Sequence, residues 1–228
     1  MNVKLYITNE NGDEIERFYT PTSVYHSKTL DLIIKIFAYN STAIGYSNKG
    51  MTGNLKKLRI GDHIEASGPH GNFTYEGFGT LVRYSTPHKL WLSKMYRKII
   101  VITSGVALNV AINLCRTTVD KDDRNVIIKI ITLNDYLKDI VFYDELEDIV
   151  RRMPNTFEVM HILKKEMIDG EHIYSGETLN FHTLETLVGD YHPGSAIIYS
   201  GSGTLYYNEV YRYLKYKNFN FDDVYSYT

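Results

Sequence analysis

Lys98-Ile99-Ile100-Val101-Ile102-Thr103 is an unbroken apolar run bounded by polar residues, and a second run, Val126-Ile127-Ile128-Lys129-Ile130-Ile131-Thr132, lies a helix-length further on. Strands buried on both faces read as continuous β-branched stretches, and parallel pairing of two of them needs a long crossover. Residues 108–119 have helical spacing and supply that crossover, so residues 98–132 read as a βαβ unit. Onward from it, the pattern predicts a helix over 143–152, a strand over 156–162, a short helix over 183–187, a strand over 195–200, a helix over 205–217 and a last strand over 224–227. Alternation of this kind gives a parallel sheet with helices on both faces.

Toward the N-terminus the rhythm is different. Residues 3–8 alternate, Asn11-Gly12 is a hairpin signal, and residues 14–20 resume an extended pattern. Residues 30–38, 62–67 and 72–75 read as further strands, divided by Gly61-Asp62 and by the turn Gly68-Pro69-His70-Gly71, with one short helix over 51–58. Short strands with glycine turns point to a small antiparallel β-barrel or sandwich. The expected fold is therefore an α+β two-domain chain: an antiparallel β-barrel over residues 1–90, then an α/β, Rossmann-like parallel-sheet domain over residues 91–228. The change of rhythm follows Thr86-Pro87 and places the boundary near residues 84–97.

Composition narrows the function classes. With 228 residues, 43% hydrophobic and 23% charged, the chain is too apolar to be disordered and long enough for its own core. The single cysteine, Cys115, excludes an internal disulfide and a cysteine zinc cage, and fits a reducing compartment. The acidic, alternating start is not a targeting peptide, and no apolar run approaches the ~20 residues of a membrane helix. These features suggest a cytoplasmic protein held at a membrane surface, if at all, through a partner. A net charge of -2 argues against nucleic acid as a partner.

The eight histidines show no ligand spacing, so no metal site is expected. Ser200-Gly201-Ser202-Gly203 is not a Gly-x-Ser-x-Gly elbow, which removes the hydrolase nucleophile. Residues 77–119 hold no acidic residue but contain Arg83, Lys89, Lys94, Arg97, Lys98 and Arg116. A solvated connector is the plainer reading of that stretch, and a docking patch for an acidic partner is its rival.

Two segments carry chemistry. Arg17-Phe18-Tyr19-Thr20-Pro21-Thr22-Ser23 sets a guanidinium, suited to a pyrophosphate, beside a phenol suited to a flat ring system. Lys49-Gly50-Met51-Thr52 enters a helix, where free backbone N–H groups make an anion site. Two anion sites on one barrel suggest a diphosphate.

With Ile60-Gly61-Asp62-His63-Ile64-Glu65 and Gly68-Pro69-His70-Gly71, these segments resemble, in order and spacing, the flavin domain of the ferredoxin-NADP reductase superfamily, and in particular its cytochrome b5 reductase branch. The resemblance covers nearly all of residues 3–80. It implies FAD, with Arg17 on the pyrophosphate, Tyr19 and Thr20 at the isoalloxazine, Ile33 and Lys35 along the flavin or nicotinamide side, and Gly50, Met51 and Thr52 closing over the phosphates. Thr20 and Lys35 are the implied catalytic residues. One order differs, Lys-Gly-Met here for Gly-Lys-Met in the family.

The second part resembles the family's pyridine-nucleotide domain with altered loops. The family's glycine loop after the first strand reads Thr103-Ser104-Gly105-Val106 here, and its Cys-Gly-Pro-Pro segment reads Ser200-Gly201-Ser202-Gly203. Gly105, Gly201, Ser202 and Gly203 are the implied nucleotide-binding residues, with NADH or NADPH as donor and a heme or iron-sulfur protein as acceptor. Residues 83–98 become a docking surface for that acceptor. Relatives also carry roughly one more strand before residue 3, so the expectation is either a truncated chain or a barrel edge closed by another element or chain. The rival expectation is a degenerate reductase fold kept as a binding or scaffold module, and a third is a flavoprotein with a different donor.

Overall fold

The computed structural model describes residues 2–9, 11–23, 28–36, 50–86 and 88–227. Packing divides the chain into two compact units, Met1–Asn72 and Phe73–Thr228. This division precedes the change of sequence rhythm because residues 73–96 place Phe73, Leu81 and Tyr96 in the same core as Ile99, Val101 and Ile198. Compactness follows side-chain burial, whereas rhythm follows the order of strands and helices.

In the first unit, β1 (Asn2–Thr8) and β2 (Glu14–Tyr19) form an antiparallel hairpin. Its turn is closed by the Asn9 side chain, whose Oδ1 accepts from the backbone N–H groups of Asn11 and Asp13, each at 2.9 Å. β3 (Glu65–His70) pairs with the other edge of β1, giving the order β2-β1-β3. The helix α1 (Met51–Leu55) lies against β2 and buries Met51 and Asn54.

Two expectations fail in this unit. Residues 31–36 have no strand assignment, and residues 37 and 38 of that expected strand lie outside the described residues. β-Branched composition favours a pleated, half-buried surface, but a strand also needs a ladder, and the head of this segment is tied by a clasp instead. Thr22 N donates to the Asp31 carbonyl at 2.8 Å, and Asp31 N donates to Ser23 Oγ at 3.1 Å. The Gly68-Pro69 step is not a turn but part of β3, and the register against β1 shifts there, between Asn2 and Lys4. A proline is tolerated at such an irregularity on an edge strand because no ladder N–H is needed from it.

The second unit begins with β4 (Phe73–Gly77), β5 (Thr80–Ser85) and β6 (Leu90–Met95), an antiparallel sheet in that order. The stretch expected to be a connector is therefore mostly strand and helix, and Tyr84 faces Trp91 across its hairpin with ring centroids 5.3 Å apart. Three of its cations are engaged within the chain. Arg83 donates to the Val224 carbonyl, Lys94 pairs with Asp223, and Arg116 forks onto Glu145 at 2.8 and 2.9 Å.

The parallel sheet follows: β7 (Lys98–Ser104), α2 (Asn109–Asp120), β8 (Ile127–Asn134), α3 (Tyr143–Arg152), β9 (Phe157–Leu163), β10 (Ile173–Ser175), α4 (Phe181–Leu187) and β11 (Ser195–Ser200). A helical run of α5 (Gly203–Leu205), a π-helical turn Tyr206–Val210 and α6 (Tyr211–Tyr216) leads to β12 (Val224–Tyr227). All six strands are parallel, in the order β10-β9-β8-β7-β11-β12.

Alternation decides which helix covers which face. Ile99, Val101, Ile128, Ile130 and Val159 pack against Ala111, Leu114 and Cys115 of α2 and Leu146 and Ile149 of α3. Ile100, Ile102, Ile131 and Leu133 pack against Leu184 and Leu187 of α4 and Tyr213 and Leu214 of α6. Each such side chain removed from water contributes about 1.5–3 kcal/mol, which is why both faces must be covered. Among the described residues no helix is long and apolar enough to cross a membrane.

The two sheets of this unit are joined by a buried carboxylate. Asp223, just before β12, accepts from Tyr96 Oη at 2.8 Å and Tyr191 Oη at 3.0 Å, and forms an ion pair with Lys94. Burial opposes its charge, but the bonds from Lys94, Tyr96 and Tyr191 outweigh that and hold its carboxyl below the ordinary value. Replacing Asp223 by Asn leaves Lys94 unpaired, and urea unfolding of D223N at pH 7 is expected to show a loss of about 2–3 kcal/mol. The loss should shrink as pH falls through the native pKa of Asp223, where the wild-type carboxyl is itself protonated.

A second buried group gives the opposite kind of titration. His161 on β9 is 2% exposed, bonds Thr132 Oγ1 through Nδ1 at 2.7 Å, and is pushed down to about 4 by burial, with His172 adding repulsion. The unfolded chain gains a proton near pH 6.5 that the folded chain refuses, so folding stability is complete above that pH. It is expected to fall by about 2–3 kcal/mol as pH drops from 6.5 to 4, and H161Q should flatten this part of the stability curve.

Candidate functional site

In an open parallel sheet, the crevice for a ligand forms at the C-terminal ends of the two strands where the order reverses. Here those strands are β7 and β11, whose C-terminal ends are held in register with Thr103 opposite Ser200. β7 runs into Gly105, which has φ +60 and starts a 3-10 turn Gly105–Leu108 that leads directly into α2. A Cβ on Gly105 would meet nothing within 4 Å, so glycine answers the backbone angle and leaves the loop open.

Gly201 has the opposite reason. A Cβ there would lie 2.9 Å from Tyr199 Oη and 3.1 Å from Ser104 Cβ, so the loops after β7 and β11 touch at this point. Tyr199 Oη donates to the Ser202 carbonyl at 2.8 Å, and burial pushes that phenol up to about 12, so it remains a donor throughout the working pH range. Gly201 N donates to the Tyr227 carbonyl at 3.2 Å, fixing the loop to β12. The residues expected from sequence at this edge, Gly105 with Gly201, Ser202 and Gly203, thus lie on two adjoining loops at the reversal point.

In the first unit Arg17 and Tyr19 share one face of β2, opposite Leu5 and Val3 of β1. Arg17 is exposed and donates once, to the Glu16 carbonyl at 2.7 Å. Tyr19 is half-buried, and burial raises its phenol while Arg17 pulls it down. Thr20 donates from Oγ1 to Asn2 Oδ1 at 2.9 Å. Gly50 is exposed and extended at the start of α1, and the contact of α1 with β2 brings Gly50, Met51 and Thr52 to the strand that carries Arg17. Lys49 of the same motif lies outside the described residues. Ile33 is half-buried and Lys35 exposed, downstream of the Thr22–Asp31 clasp.

Sequence reasoning missed two features of the β7–β11 edge. The π-helical turn after Gly203 follows from no local motif, whereas the acidic Asp135 directly after β8 had a readable signal: acidic residues at the end of the second strand of such units contact a ribose.

Residues 2–75 match the model of the oxidoreductase FAD-binding domain. NADH-cytochrome b5 reductase 2 of Gallus gallus is 29% identical over 156 residues, covering 68% of this chain and 51% of the relative. The NADH nitrate reductase of Volvox carteri is 24% identical over 156 residues, which is 68% of this chain and 18% of that protein. The cytochrome b5 reductase domain of Ulva prolifera nitrate reductase superposes with a TM-score of 0.83 at 22% identity, covering 99% of this chain and 83% of that one. The chain shares the fold of that reductase domain. Antiparallel sheets are followed by a six-stranded parallel sheet, and the chain spans about half the length of the cytochrome b5 reductase it matches.

The contact at Gly201 is testable without a ligand. G201A should lose about 1–3 kcal/mol in thermal or urea unfolding through crowding against Tyr199 and Ser104. Adding Y199F should recover part of that, because it removes the Oη that stands 2.9 Å from the new Cβ and leaves the contact with Ser104, and G105A should lose only about 1 kcal/mol, through its backbone angle.

Proposed function

We propose that the chain is an FAD-dependent oxidoreductase of the cytochrome b5 reductase type, passing electrons from NADH or NADPH through the flavin to a one-electron acceptor. The observation that carries this reading is the match of residues 2–75 to an FAD-binding domain, since that segment contains Arg17, Tyr19, Thr20, Gly50, Met51 and Thr52. The kinship with NADH-cytochrome b5 reductase supports the donor class and a heme protein such as cytochrome b5 as acceptor, with an iron-sulfur protein as the other acceptor class. In this reading residues 1–90 serve FAD binding and residues 91–228 pyridine-nucleotide binding, in a cytoplasmic setting.

The residues present fit the cofactor. The exposed Arg17 guanidinium keeps donors for a pyrophosphate, and α1 begins at an extended glycine with no side-chain cap, leaving backbone N–H groups for an anion. Bound there, FAD supplies hydride acceptance and single-electron release. Arg17 binds the pyrophosphate, and Gly50, Met51 and Thr52 close over it. Tyr19 flanks the ring system. Thr20, its proton committed to Asn2, presents its hydroxyl oxygen as an acceptor at the flavin. Ile33 and Lys35 line the flavin or nicotinamide side. Gly105, Gly201, Ser202 and Gly203 seat the donor nucleotide at the β7–β11 edge, where absent side chains admit phosphate close to backbone.

The test is a visible spectrum of freshly purified protein before and after anaerobic addition of NADH, then NADPH. Flavin bands that bleach are expected. Bands that persist would move the donor to another class, and a colourless protein that refuses FAD would leave the scaffold reading. R17A should weaken FAD about 10- to 100-fold, the loss of a charge-assisted pair, measured by flavin fluorescence on dilution.

A further inference from the structure

The C-terminal ends of β8 and β9, beside the β7–β11 crevice, carry a charged cluster outside the glycine loops. Ser104, the last residue of β7, stands opposite Leu133 of β8, so Asp135 lies two positions beyond that level, one strand spacing from the Gly105 loop. Lys164 and Lys165 follow β9 directly. Their backbone N–H groups continue the ladder, Lys164 N to the Asn134 carbonyl and Lys165 N to the Asp135 carbonyl, each at 3.0 Å. The side chains close on one carboxylate: Lys164 Nζ is 2.6 Å from Asp135 Oδ1 and Lys165 Nζ is 2.7 Å from Asp135 Oδ2.

This arrangement bears on the choice of dinucleotide. A free carboxylate at the end of the second strand accepts the adenosine ribose 2′-hydroxyl and repels a 2′-phosphate, whereas a cation there accommodates the phosphate. Asp135 occupies the acidic position, but each of its oxygens holds an ammonium group, and the two lysines leave a surplus positive charge over it. Each lysine retains further N–H donors. Glu166, the next residue, is turned away to the Leu137 backbone N–H at 2.5 Å, and Asp139 acts on Lys165 from the same loop. Tyr136 is exposed in this loop, and Lys138 Nζ stands 5.2 Å from its ring centroid, adding a third cation.

Resting on the reading of this edge as the donor site, we infer that Lys164 and Lys165 form a 2′-phosphate subsite, so that the chain takes the 2′-phosphorylated dinucleotide, NADPH, in preference to NADH. Asp135 is the positioning residue that holds both ammonium groups at the strand ends. The lysines act on the 2′ position alone and leave the rest of the nucleotide to the glycine loops.

The full chain loaded with FAD tests this by calorimetric titration with 2′,5′-ADP and with 5′-ADP, which differ in the 2′-phosphate. The 2′-phosphorylated ligand should bind at least ~10-fold more tightly in low salt, with the ratio falling as KCl screens the lysines. K164Q/K165Q should bring the two affinities together, by weakening 2′,5′-ADP and by freeing Asp135 for the 2′-hydroxyl of 5′-ADP, and kcat/KM for NADPH over NADH should fall by the same factor. Equal binding of the two ligands by wild type, or tighter 5′-ADP, overturns the subsite and spares the reductase reading. A chain that holds FAD yet binds neither ligand overturns the subsite together with the donor site itself. A preference that survives K164Q/K165Q overturns the assignment to these lysines.

Discussion

Parallel pairing of strands that are apolar on both sides is the constraint from which the second unit follows. Parallel neighbours cannot be joined by a tight turn, so the connections between them cross a face of the sheet, and apart from the short link from β9 to β10 those crossings carry helices that cover the apolar side chains. With β8 and β9 added on one side of β7 and β11 on the other, the crossings leave in opposite directions from adjacent strand ends. The gap between them lies where Gly105 and Gly201 stand. The location of the site is thus a consequence of how Ile99 to Ile102 and their neighbours are buried, before any functional side chain is considered.

The β4-β5-β6 sheet is joined to this framework by polar as well as apolar contact. Arg83 lies 4.1 Å above the Tyr225 ring and reaches the Val224 carbonyl, while Lys94 and Tyr96 converge on Asp223. Tyr96 and Tyr225 also share a hydrogen bond at 2.9 Å. These bonds hold β12 from the side opposite the α6 helix, and β12 in turn fixes the Gly201 loop through the Tyr227 carbonyl. A chain of contacts therefore links an acidic residue at a strand start to the backbone of the Gly201 loop. The cations once readable as a free basic surface are in part the ends of that chain.

Much of the second unit was legible in sequence because its signals are local and repeated. The runs at 98–103, 126–132 and 195–200 became β7, β8 and β11 with ends shifted by two residues at most, and the helix over 143–152 became α3 with the same bounds. The first unit was read less well. Residues 30–38 have strand composition, yet their head is held by Thr22 and Ser23 side chains and backbone rather than by a ladder. Gly68-Pro69 has turn composition, yet an irregular register on an edge strand absorbs it. The hairpin of β5 and β6 was passed over because Thr86-Pro87 signals a turn without saying whether the strands beside it pair with each other.

The sequence by itself determined the alternation of strands and helices, the two-part class of the fold and the positions where glycine opens a loop, since each rests on residues near one another in the chain. Tertiary structure decided which loops meet. Ser104 and Gly201 are almost a hundred positions apart, and Asp135 meets Lys164 and Lys165 across two strand ends. Nothing in local spacing encodes such meetings, because strand order and register are set by burial of the whole sheet, and it is register that turns separate motifs into one edge.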